Sequence, residues 1–145
     1  MKSNDISSEY FKKRLVDLCL RSGMTDFPNK YQDQLILLKS IANMFTLNKE
    51  YTENEVNEVI KNWQTSADIF IYWDFMMLRR RLVDVKLLGR NPNGSCYWLN
   101  PTGPEGIAFD PAINQVIINE VLSEGRRFIA QKKAQYLVES NSEEV

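Results

Sequence analysis

Apolar residues recur along most of this chain at intervals of three and four, the period of helices with one buried face. Phe11, Leu15, Leu18 and Cys19 share one stripe and predict a helix over residues 8–21. Ser7 or Ser8 can cap it, and Ser22-Gly23 ends it. Pro28 disfavours helix at Phe27. Leu35, Leu38, Ile41, Ala42 and Phe45 predict a second helix over 30–45. Thr52 with Glu55 three residues later is a capping box, opening a third helix on Val56, Val59, Ile60 and Trp63. Residues 64–67 read as a linker. Ile71, Phe75, Leu78, Leu82 and Val85 predict a fourth helix over 68–86. The last helix is expected over 110–137, with Asp110 as cap and Pro111 at its first position. Its apolar positions are Ile113, Val116, Ile117, Val121, Phe128 and Ile129, and Gly125 inside it marks either a kink or a close helix crossing.

Between the last two helices the pattern changes. Residues 87–90 and 95–99 read as strands joined by Asn91-Pro92-Asn93-Gly94, with Asn93-Gly94 a two-residue hairpin signal. Residues 49–51 are a short extended piece placed to pair with that hairpin as a third strand. Tyr97 and Trp98 alternate across the sheet, so one is expected inward and one outward. Residues 100–110 hold Pro101, Gly103, Pro104 and Gly106 and read as a loop.

The expected architecture is mainly α with a small β-hairpin: a winged helix-turn-helix core over residues 26–99. A helical extension, 1–25, precedes it, and a loop and C-terminal helix, 100–145, follow within a single domain, 1–145. In DNA-binding winged helices the helix before the wing enters the major groove and the wing reaches phosphate or minor groove.

Several stretches carry a family resemblance: Phe27-Pro28-Asn29-Lys30, the run Tyr51 to Asn57, the run Leu78 to Asp84, and Gly89-Arg90 with Asn93-Gly94-Ser95 and Tyr97-Trp98. Together they resemble a bacterial domain-of-unknown-function family often named among transcriptional regulators, over about residues 26–99. The resemblance implies the fold and a regulatory role, with no agreed biochemical activity. Residues 64–74 are unusually apolar for it, and Lys86 stands where a Gly is expected before Leu87-Leu88.

Composition narrows the chemistry. The chain has 145 residues, a formal net charge of −1 and no His, which removes histidine-based catalysis, metal binding and pH switching. Cys19 and Cys96 stand far apart and read as reduced thiols of a cytoplasmic protein. No apolar run follows a basic start, so no signal peptide or membrane association is expected. No phosphate-cradling loop, dinucleotide fingerprint or metal motif occurs, so no catalytic residue, metal or cofactor is expected and the protein is read as a non-enzyme. Glu53, Glu55 and Glu58 suit the dipole of the helix they open.

Two candidate surfaces remain. Residues 68–99 carry five basic and three acidic groups, the most positive stretch of the chain. Arg79, Arg80, Arg81, Arg90 and Asn93 are the candidate contacts to duplex DNA, with Arg80 pointing away from the buried stripe and its neighbours flanking it. The bland reading pairs Arg80 with Asp84, four residues on, and lays the flanking arginines over the core. Tyr72, Trp73, Met76 and Met77 fall opposite the core stripe. With Val121 and Phe128 they are candidates for covering by a terminal helix, a homodimer partner or another protein. The alternative function is thus a non-enzymatic protein-interaction module with an apolar docking face.

Overall fold

A computed structural model describes residues 5–22, 26–67, 74–104 and 106–143, with side chains up to residue 139. Among the described residues there are five α-helices, α1 (Ser8–Val16), α2 (Tyr31–Ala42), α3 (Glu53–Ser66), α4 (Phe75–Asp84) and α5 (Ile118–Glu143), and a small sheet that packs against α3 and α4. The strands are β1 (Glu50–Tyr51), β2 (Leu88–Arg90) and β3 (Tyr97–Leu99). All pairing is antiparallel in the order β1-β3-β2, with Tyr51 opposite Tyr97 and Gly89 opposite Trp98.

Helix α2 is the centre. Residues 35–42 are buried on every side, because α1, α3 and α4 all touch this helix. The expected stripe was therefore too narrow, as an apolar helix with no polar face belongs inside. Its buried polar groups all have partners. Asp33 accepts a bidentate pair from Arg14 at 2.8 and 2.9 Å. Ser40 Oγ donates to the Leu37 carbonyl and accepts from Trp63 Nε1. Lys39 Nζ donates to Asn114 Oδ1 at 2.7 Å, and burial pushes its pKa below the ordinary lysine value.

Local signals explain most helix starts. Ser7 Oγ accepts from the Tyr10 N–H to open α1. The Thr52–Glu55 capping box is present in both directions. Hydrogen bonds from Thr52 hold the Glu55 carboxyl below its usual pKa. Helix α1 does not run regularly to residue 21, since Asp17–Arg21 widen into a π-helical turn closed by Ser22 N–H on the Asp17 carbonyl. Residues 64–66, read as linker, are the last turn of α3. Of the fourth predicted helix, residues 75–84 are helical and capped by Asp74, while 68–73 lie outside the described residues.

Helix α4 ends in a Schellman motif. Lys86 N–H donates to the Val83 carbonyl and Leu87 N–H to Leu82, with Lys86 at φ 69°. This is the left-handed conformation that glycine adopts without strain, at the position where the family pattern leads one to expect Gly. Lys86→Gly should raise the unfolding free energy by about 0.5–1 kcal/mol. Urea denaturation checks this, and a destabilised variant contradicts it.

The hairpin differs from the expected one. Its loop spans 91–96 instead of 91–94: Gly94 N–H closes the expected turn on the Asn91 carbonyl, and Asn91 also pairs with Cys96, its side chain accepting from Cys96 N–H and its own N–H donating to the Cys96 carbonyl. Tyr97 is buried and Trp98 exposed, and the indole lies over Gly89, where a Cβ would come within 2.2 Å of it. Both cysteines are free, and burial pushes the Cys19 thiol up to about 12.

The terminal regions share this core. Ile6 bridges Phe109, and Phe11, Leu15, Leu18, Ile113, Ile118 and Leu122 all join the buried cluster. The predicted 110–137 helix is broken in two. A 3-10 turn, Pro111–Gln115, capped by Asp110, is followed by extended Val116 before α5 begins. Asn43 Nδ2 donates to the carbonyls of Ile113 and Val116, occupying acceptors that a continuous helix would need. Gly125 marks a close crossing, since a Cβ there would lie 2.9 Å from Val16 and 3.2 Å from Leu20. No described helix is long and apolar enough to cross a membrane.

Candidate nucleic-acid interface

Helix α4 is amphipathic. Leu78 and Leu82 are fully buried, and Phe75, Met77, Val83 and Val85 pack partly on the core. The outer side of α4 and the base of the hairpin enclose a concavity of about 660 Å³. Arg79, Arg80, Met76 and Met77 line it from the helix, and Arg90 and Tyr97 from the strands. Two carboxylates, Asp74 and Asp84, stand at its rim, so the field there is mixed.

The four candidate arginines have different fates. Arg79 is half-buried and held by α3, with an ion pair to Glu53 at 2.8 Å and a hydrogen bond to Asn57 Oδ1. Arg81 lies on another side of α4, its guanidinium 5.1 Å from the Phe27 ring centre and its Nε donating to Met77 Sδ. Arg79 thus ties α4 to α3, while Arg81, itself exposed, rests on the Phe27 ring. Arg80 is exposed, and the expected pair with Asp84 does not form: among the described residues Arg80 has no ion pair. Arg90 is also exposed, with one long hydrogen bond from Nε to the Asn91 carbonyl at 3.4 Å. Its guanidinium lies against Gly94, where a Cβ would sit 3.0 Å away. Asn93 Oδ1 accepts from both Ser95 N–H and Ser95 Oγ, which shapes the loop and leaves the amide NH2 outward as a donor.

The candidate partner residues also separate. Met76 is 52% exposed, and Met77 is part-buried. Tyr72 and Trp73 lie outside the described residues. Val121 is buried by the chain itself, so it belongs to the core rather than to a free surface. Phe128 is 53% exposed on α5, far along the chain from the α4 surface.

The sequence reading missed Asn57 and Glu53 as the anchors of Arg79. The available signal was that Arg79 flanks the buried stripe of α4 while Glu53 occupies the first turn of the helix that packs beside it. Asp74, which lines the concavity with the basic groups, is a further neighbour that the sequence reading did not include. Among the described residues, no group of three or more metal-ligating side chains converges.

The stretch from residue 23 to the end of β3 holds α2 to α4 and the whole sheet, including every element that lines the concavity. No curated protein and no solved structure matches the chain. Residues 23–99 match a bacterial protein family, described as "Uncharacterized protein conserved in bacteria (DUF2087)", and the chain belongs to that family.

Proposed function

We propose that the protein is a DNA-binding regulator built on a winged helix, with α4 presented to the duplex and the β2–β3 hairpin as its wing. The order α2-β1-α3-α4-β2-β3 and the sheet order β1-β3-β2 support the winged-helix reading. One observation carries the DNA reading. Arg80 from the helix and Arg90 from the hairpin line a single concavity, and neither is in an ion pair among the described residues. Two exposed guanidinium groups on two elements are suited to bridging phosphates on either side of a groove. Asn93 offers a further donor at the hairpin tip. Arg79 and Arg81 position α4 instead of touching the duplex. With Asp74 and Asp84 close by, binding is weak, non-specific in its energetics and steeply salt-dependent.

Fluorescence anisotropy with mixed-sequence duplex DNA over a salt series tests this. The wild type should bind with Kd of roughly 1–100 μM. Arg80→Ala should weaken binding and flatten the slope of log K against log salt by about 1. Arg81→Ala should leave that slope unchanged. No binding at low salt, or equal slopes for wild type and Arg80→Ala, overturns the reading. The second reading, a protein-docking face, draws on Met76, whose exposed thioether in the same concavity suits an adaptable apolar contact.

A further inference from the structure

Helix α5 crosses α1 and its π-helical turn at Gly125, against Val16 and Leu20. Crossed helices diverge away from their closest approach. Beside this crossing they leave a groove of about 450 Å³. Val16, Val121, Gly125 and Phe128 give it an apolar lining. Phe128 stands one turn past the crossing, and its 53% exposure places the ring at the open side. The volume falls within the roughly 300–1,000 Å³ of small-molecule sites. A helix about 10 Å across would fill it with a single turn, so a partner helix gains little by entering. A single slender chain fits it better.

The rim is cationic. Lys12, Lys13 and Arg21 stand along the α1 side. Lys132 continues the α5 side, with Nζ 5.6 Å from the Phe128 ring centre. The carboxylates beside them are Asp17 and Glu124. Asp17 is already shared by Arg14 and Arg21, at 4.0 and 3.9 Å. That leaves Glu124 against Lys12, Lys13 and Lys132, which are in no ion pair among the described residues. An apolar trough edged by unpaired ammonium groups complements an apolar chain with an anionic head. The long lysine stems can follow the chain while their charges reach the head.

We infer that the α1–α5 groove binds a long-chain carboxylate. The acyl chain lies along Val16, Val121 and Phe128, and Lys12 and Lys13 hold the carboxylate. The groove shares no residue with the α4 concavity, so the inference does not depend on DNA binding.

Isothermal titration calorimetry of the full chain with dodecanoate, kept below micelle formation, tests it. Binding should saturate at one equivalent. Affinity should rise about two- to fourfold per methylene from octanoate to dodecanoate, as methylenes leave water. Dodecyltrimethylammonium has the same chain and the opposite charge, and should bind about tenfold more weakly. Phe128→Ser should weaken dodecanoate binding about tenfold. Lys12→Gln with Lys13→Gln should erase the preference for the carboxylate. These three side chains are exposed, so both variants should keep the wild-type urea midpoint, and lost binding cannot be ascribed to lost fold. Absence of saturable binding, equal affinity for the cationic amphiphile, or variants that bind as the wild type does overturns the inference. So does a wild-type dimer in sedimentation equilibrium that Phe128→Ser dissociates and dodecanoate leaves intact, because the groove then holds a second copy.

Discussion

Trp63→Ala should lower the unfolding free energy by about 3–5 kcal/mol, the cost of removing a large aromatic from a closed core. Trp63 is fully buried on α3, against α2, the helix that α1, α3 and α4 all touch. Its indole N–H also donates to Ser40 Oγ at 2.8 Å, and that hydroxyl donates in turn to the Leu37 carbonyl at 2.6 Å. The substitution removes ring volume and one buried hydrogen bond together. Against a total stability of about 5–15 kcal/mol for a domain, this is a large fraction. Urea unfolding followed by circular dichroism avoids the lost fluorophore. Ser40→Ala keeps the ring but strands its buried indole N–H, so it should cost about 1–3 kcal/mol, less than the loss of ring and bond together. A Trp63→Ala loss below about 1 kcal/mol would mean that the surrounding helices collapse into the space, contrary to a core this enclosed.

How much of this was legible in the sequence depended on the range of the interaction responsible. The capping box at Thr52 and the alternation of Tyr97 and Trp98 across the sheet were readable because each is fixed by neighbours within a few residues, whereas which of the two aromatics faces inward was not. The Lys86 position was readable from the family pattern, and its positive φ gives the reason. The break between the 3-10 turn and α5 was not readable, because the groups that cause it are some seventy residues from the carbonyls they occupy: Asn43 reaches Ile113 and Val116. The all-round burial of α2 was likewise hidden, since it arises from three helices closing on one. In the hairpin, the expected turn at 91–94 forms, with Gly94 at φ 72°, and the pairing of Asn91 with Cys96 lengthens the loop by two residues beyond it. At the candidate site, the sequence located the basic cluster and singled out Arg80. It could not distribute the other arginines, because Glu53, Asn57 and Phe27 decide where Arg79 and Arg81 go.

Arg14→Ala should cost about 2–3 kcal/mol, out of proportion to a part-exposed arginine. The carboxylate it leaves behind is the reason. The Asp33 side chain is only 7% exposed and receives Arg14 Nε and Nη2 in a two-pronged pair. Without the guanidinium, a buried charge on α2 loses both donors. A double-mutant cycle with Asp33→Leu and Arg14→Met distinguishes this from lost packing. The double variant should be more stable than Arg14→Ala alone, since no charge is then stranded. The same pair ties α1, which precedes the family-matched stretch, to α2 inside it. If residues 5–22 belong to one cooperative unit with the matched stretch, Arg14→Ala moves the urea midpoint and leaves the slope unchanged. A shallower slope would mean that α1 detaches first and that α2 to α4 with the sheet stand without it. The shared cluster of Phe11, Leu15 and Leu18 with the α2 side chains favours the single unit.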